Sequence, residues 1–414
     1  MIKSLSKLFS GNAAVQAISL LLMPIVTRIY APSELGTYQF ITTTALIISP
    51  FANLSLAEAI IKEKDDIANK DILLTACLVS FTASVLFSAL FQGLIFFDLN
   101  GMSLNFGHSL LFFSLLFTSA LMSYARACYV RDRCYGKFAL QGVYSSLAGN
   151  SVKIISGLLY PISFSLILGL VAGNVAAIYY TIYNYGVNKI INIKLPTIRK
   201  VFYTLNRLKG FTVHFTFSQF ISILISWHLV FFAPFIASPS EVGVLSLALM
   251  VTKTPSFPFL SSITKYAYSE SAQSYYLNNA IAPKLIKLGL LGLAGTLAVM
   301  LIFVLWGEML FVTVFGADWA DASAYAVLLT LPLISSFSLQ PSNITLANLF
   351  ELQTCLFATD IVVSFFLVIL CYFAILDDWS IYKYVMANSV TISLSHVCKF
   401  GLVVMGSKEK SISN

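Results

Sequence analysis

The chain has 414 residues, 58% of them hydrophobic and only 10% charged, with a net charge of +7 and a mean hydropathy of +0.84. Soluble domains carry roughly 25% charged residues, so an ordinary soluble enzyme or binding module is excluded. The basic residues lie in short separate segments with no arginine–aromatic stripe, which points to anionic headgroups and not to nucleic acid as their partner.

Taken in order, apolar segments fall near 10–30, 36–60, 72–97, 107–128, 138–159, 162–184, 211–235, 241–266, 284–306, 322–348, 354–376 and 380–405. A helix needs about 20 apolar residues to cross the hydrocarbon core. Alternation at period two is absent, which argues against a lipid-embedded β-barrel. The expected fold is an all-α polytopic membrane protein of about twelve transmembrane helices in two six-helix bundles, residues 1–206 and 207–414. Lys3 and Lys7 precede the first apolar run as in a signal peptide. No small-x-small cleavage site follows, so the run reads as an uncleaved first helix.

That helix ends in Arg28 and leads into APSELGTY (31–38), whose Pro-Ser-Glu-x-Gly string returns in SPSEVGVL (238–245) at the matching point of the second half. Each string precedes an apolar helix interrupted by proline, Pro50 in the first and Pro255 and Pro258 in the second. Pro32 and Pro239 suit the first position of a helix, where the missing N–H matters least. Glu34 and Glu241 suit the positive end of the helix dipole, and Gly36 and Gly243 permit close helix packing. Six helices per half bring the second half in with the orientation of the first. The repeat is therefore expected to be parallel, about an axis along the membrane normal.

Further along, Glu58 lies near the inner end of the second helix, followed by Lys62, Lys64 and Lys70. Lys153 lies deep in the fifth helix, amid Ser146, Asn150, Ser151 and Ser156. The central connection, roughly 186–210 with Lys189 and Lys194, reads as a linker lying on the inner leaflet. Lys253 sits midway along the eighth helix and Asp360 in the eleventh; Lys399, Lys408 and Lys410 close the chain. A cation at a helix centre costs around 2.5–3.5 kcal/mol on insertion scales, so Lys153 and Lys253 are the candidate cavity cations. Glu58 and Asp360 are candidates for holding a coupling proton or sodium ion, or for pairing with a lysine. His108, His214, His228 and His396 are scattered and read as satisfied polar residues. The six cysteines form no Cys/His cluster, and no Ser-His-Asp set, HExxH or paired carboxylates occur. No catalytic residue, metal or cofactor is expected. Basic residues concentrate in alternate connections, which places both termini in the cytoplasm.

LLLMPIVTRIYAPSELGTYQF (20–40) resembles the first-helix signature of bacterial polysaccharide-exporting flippases: an apolar helix with a proline, then Arg, two apolar residues, a small residue, Pro, and Gly four positions on. FGADWADASAYAVLLTLPL (315–333) resembles the Gly-x-x-Trp/Tyr-Ala segment before the tenth helix of that family, and 346–368 matches the following connection more loosely. The resemblance implies the multidrug/oligosaccharidyl-lipid/polysaccharide (MOP) exporter superfamily, most like its O-antigen (Wzx-type) branch. It implies a bacterial inner-membrane flippase of an undecaprenyl-diphosphate-linked oligosaccharide, working among membrane lipids and alongside polysaccharide polymerase and chain-length proteins. It also implies a phosphate-facing role for Arg28, which the second copy of the string lacks. The rival readings are a drug or metabolite antiporter of the same superfamily and a membrane polysaccharide polymerase or acyltransferase.

Overall fold

The computed structural model describes residues 2–95, 102, 104–185, 197–276 and 280–413. Residues 186–196 of the central connection, with Lys189 and Lys194, lie outside the described residues, as do the side chains of Lys3, Lys7, Lys408 and Lys410. Among the described residues the regular structure is entirely helical: α1 (Ile2–Ile29), α2 (Pro32–Asn53), α3 (Leu56–Lys62), α4 (Asp66–Ile95), α5 (Phe106–Arg131), α6 (Tyr135–Leu159), α7 (Ser163–Tyr185), α8 (Ile198–Phe232), α9 (Pro239–Tyr276), α10 (Ala282–Phe315), α11 (Ala322–Leu349), α12 (Gln353–Leu376) and α13 (Ile381–Ser413). Among the described residues each expected apolar segment is mostly helical. Nine described helices are long and apolar enough to cross a membrane, or ten if the bent pair α2 and α3 counts as one span. Residues 15–29 of α1 form a shorter apolar helix. α6, with Lys153 and Asn150 among its apolar residues, is not one of the nine. The chain is a multi-pass membrane protein.

The second expected helix, 36–60, is not continuous. α2 runs through Pro50 and breaks at Leu54 and Ser55, both left-handed at φ 46° and 50°, with a bend of 51° before α3. Asn53 Oδ1 accepts a hydrogen bond from the Ser55 amide at 2.8 Å, a local turn that competes with the helix. The proline alone does not cause the break. Pro255 and Pro258 likewise lie inside a single helix, α9.

The chain divides into two compact units, Met1–Trp227 with Ser238–Ser240, and His228–Ala237 with Glu241–Asn414. The 206/207 boundary expected from the sequence lies within α8, in the part that belongs to the first unit. In the first unit α6 packs on α7 and α1, and α5 on α4 and α7. Glycines set the α6–α7 approach: a side chain at Gly149, Gly169 or Gly173 would run into the opposing backbone. A core of Leu56, Ile60, Ile72, Ala76, Ala120 and Tyr124 joins α3, α4 and α5. In the second unit α10 packs on α11, and α13 on α11 and α12. The FGADW loop turns on Gly316, whose φ of 113° favours glycine, and seats Trp319, 1% exposed.

Candidate functional site

Pro32 and Pro239 are the first residues of α2 and α9, so the repeated string is a helix start in both places. In the first copy Glu34 reaches beyond its own helix. Its Oε2 accepts from the amide of Ser163, the first residue of α7, at 2.5 Å. Ser163 Oγ in turn lies 3.2 Å from His108 Nε2, and His108 completes a capping box with Asn105 at the start of α5. The carboxylate therefore meets the positive ends of two helices, α2 and α7.

The same corner holds two of the candidate cations. Arg28 is in the last turn of α1 and exposed. Two residues on, the buried Tyr30 donates its hydroxyl to the carbonyl of Lys153 at 2.7 Å, bringing the end of α1 to the C-terminal third of α6. Lys153 is half-buried. Its Nζ donates to Tyr38 Oη at 3.1 Å and stands over the Tyr38 ring at 5.1 Å. The lysine stem passes over Gly169 of α7, where any Cβ would collide with Lys153 Cγ. No carboxylate pairs with Lys153 among the described residues. The ammonium is held by a hydroxyl and a ring, neither of which neutralises it.

Glu58 lies in the first turn of α3, directly after the break. Its Oε1 accepts from Gln219 Nε2 of α8 at 2.7 Å, and Thr216 of the same helix donates to Ser55 Oγ at 3.3 Å. Tyr124, 2% exposed, closes the other side, its hydroxyl 2.5 Å from Ser80 Oγ. No lysine or arginine forms an ion pair with Glu58 among the described residues; its partner is an amide.

In the second unit, Lys253 is half-buried on α9. Asp360 of α12 pairs with Lys399 of α13, side chains 31% and 15% exposed. Grouping Lys399 with the basic tail is thus corrected, since it lies within the span Ile381–Ser407. His228 Nε2 is 2.7 Å from Asn388 Oδ1 and His396 Nε2 is 3.0 Å from Ser336 Oγ. Tyr38, Gln219 and Asn388, the partners that fix these groups, carry no signal of their own in the sequence. Removing the carboxylate in Asp360→Ala strands the Lys399 charge in a span. A loss of about 2–3 kcal/mol is expected, read as lower membrane abundance and a lower melting temperature. Asp360→Ala with Lys399→Met should recover most of it; a double variant as unstable as the single one would rule out the pair as the cause.

The sequence model of a family described as "Polysaccharide biosynthesis protein" matches residues 25–324. No curated protein sequence matches. Among solved structures, the chain is similar to the lipid II flippase MurJ in an inward closed conformation, at a TM-score of 0.71 and 15% identity, covering 100% of this chain and 90% of that one. It is also similar to a MOP-superfamily transporter from Pyrococcus furiosus (TM-score 0.60, 12% identity, 99% and 96% covered). A multidrug-resistance MATE transporter in an inward-facing conformation matches as well (TM-score 0.58, 12% identity, 98% and 96% covered). At these identities the likeness is one of fold: an all-α architecture over the whole chain.

Proposed function

The chain belongs to the polysaccharide biosynthesis protein family, and from that premise we propose that it is a flippase, not an enzyme, for an undecaprenyl-diphosphate-linked oligosaccharide. It moves this substrate from the cytoplasmic to the periplasmic leaflet of the bacterial inner membrane, with both termini cytoplasmic, by alternating access of its two halves. The observation that supports the reading is Lys153, a cation in the C-terminal third of the largely apolar α6 with a phenol and, among the described residues, no carboxylate paired to it. A group that costs around 2.5–3.5 kcal/mol to insert is matched by an anion that arrives with the substrate, and the diphosphate is that anion. Arg28 and Lys253 complete the set of diphosphate-facing cations. The substrate class also agrees with the family. The O-antigen class of sugar rests on the sequence resemblance of the Arg28 segment. Glu58 is the group through which a proton or sodium ion drives the cycle. Asp360 is held by Lys399 and serves the scaffold.

The deciding experiment is reconstitution of the full chain in proteoliposomes with a fluorescent lipid-linked oligosaccharide. Protein-dependent inward exposure of the probe to a membrane-impermeant quencher is expected. Efflux of small organic cations without movement of the probe would replace the flippase by a drug antiporter. Within that assay Arg28→Ala should lose about tenfold in rate, the equivalent of one charge-assisted hydrogen bond. Arg28→Lys recovers part of the loss if charge suffices, and none if bidentate phosphate geometry is required.

A further inference from the structure

The end of α5 and the start of α6 are basic, with Arg126, Arg131, Arg133 and Lys137 in one short stretch. Arg131 is spent: it pairs with Asp66 at 2.6 Å and donates to the carbonyls of Glu63 and Lys64. Arg126 is different. It is half-buried, its Nε–H is enclosed and meets no acceptor, and no carboxylate pairs with it among the described residues. Its guanidinium stands over the Phe138 ring of α6, 5.7 Å from the centroid. Arg126 precedes the last turn of α5, the only place where the helix dipole would favour it. Nor does it lie on an outer face. Ser119 and Met122, three and four residues apart along the same side of α5, accept from Asn174 of α7 at 3.0 Å and from Ser145 of α6 at 3.9 Å. The arginine therefore sits on the side of α5 that packs against α6 and α7.

A charged donor enclosed in a span without an acceptor is matched by an acceptor that comes and goes. The guanidinium offers its donors in a planar fork that fits phosphate oxygens two at a time, and the ring behind it steadies the plane without neutralising the charge. Arg133 and Lys137 add a positive field that favours an anion over a neutral sugar. The position along α6 adds a second point. Phe138 and Lys153 lie on one side of that helix, 15 residues and so about 22 Å apart at 1.5 Å per residue. The hydrocarbon core is about 30 Å thick. The two cations therefore stand toward opposite ends of the span, and the distance between them is most of what a headgroup has to cross.

We infer that Arg126, backed by Phe138, is a second binding station for the lipid-linked diphosphate, at the end of α6 opposite to Lys153. The inference rests on the flippase reading above and adds a place where the phosphates are held before or after Lys153.

The probe is undecaprenyl diphosphate without sugar, carrying a diazirine on the isoprene unit next to the diphosphate. It is photolysed with the full chain in phosphatidylcholine nanodiscs, and the labelled peptides are mapped by mass spectrometry. Label is expected at two places, around Phe138 and around Lys153. Arg126→Met should lower the first by about tenfold or more and spare the second, and Lys153→Met should do the reverse. Arg126→Lys, which keeps the charge and gives up the fork, should label between Arg126→Met and the parent. Excess unlabelled undecaprenyl diphosphate should remove the label around Phe138, and excess diacyl phosphatidic acid should not. Without ligand, Arg126→Met should melt no earlier than the parent, because no carboxylate loses its partner. Undecaprenyl diphosphate should raise the melting temperature of the parent more than that of the variant. Equal competition by phosphatidic acid would make this a headgroup site and overturn the inference. So would label around Phe138 that persists in Arg126→Met, its absence from a parent chain that moves lipid-linked oligosaccharide, or early melting of ligand-free Arg126→Met, which would give the guanidinium to the fold. Failure of the parent chain to move any lipid-linked oligosaccharide is a separate result, and it removes the flippase reading itself.

Discussion

Replacing Lys153 by methionine is expected to reduce flipping by about 10–100-fold, the loss of a hydrogen bond to a charged group worth about 1.5–3 kcal/mol, with the protein still present in the membrane at normal abundance. Methionine keeps the unbranched stem that passes over Gly169 and removes only the ammonium. The packing of α6 on α7 should therefore survive, and melting should stay near that of the parent chain. Tyr38→Phe leaves the ring that Lys153 stands over and deletes the hydroxyl at 3.1 Å, so its effect should be smaller, about 1 kcal/mol. Gly169→Ala approaches from the other side. Its methyl occupies the place of Lys153 Cγ, displaces the ammonium without deleting it, and should lower flipping together with stability. Full flipping in Lys153→Met would remove the cationic-site mechanism. Full flipping in Gly169→Ala would mean that the position of the ammonium is unimportant.

The apolar segments were readable because a spanning helix advertises itself by length and hydropathy, and Pro32 and Pro239 start helices for a reason local to the backbone. What could not be read was whatever depends on how helices are rotated against one another. Asp360 and Lys399 carry no pattern that links them, and neither do Glu34 and Ser163, yet each pair is in contact. The break after Asn53 was hidden because Leu54 and Leu56 keep the hydropathy continuous through it. Asn53 and Ser55 hold the turn, and short polar side chains of this kind are common within spanning helices. Lys153 and Lys253 stood out as cations where cations are costly. The phenol that holds Lys153 is one of 20 tyrosines, and composition distinguishes none of them.

Glu58 separates coupling from structure, because its two obvious substitutions have opposite meanings. The carboxylate sits at a broken span, where α2 ends and α3 begins, and its partner Gln219 belongs to α8. Deprotonated, it only accepts; protonated, it gains a donor and loses the charge-assisted bond from the Gln219 amide. Glu58→Ala leaves that amide without its acceptor at the break, at about 1–3 kcal/mol, and should lower both stability and flipping. Glu58→Gln has nearly the same shape, and paired amides can restore the hydrogen bond, so the fold should hold while nothing remains to take up a proton or attract a sodium ion. If Glu58 couples the cycle, Glu58→Gln should flip substrate down its own concentration gradient at close to the parent rate. It should no longer respond when a pH or sodium gradient is imposed across the vesicle. A variant that still accelerates under either gradient would move the coupling site elsewhere. A variant that melts as early as Glu58→Ala would show that the carboxylate serves the break and not the ion.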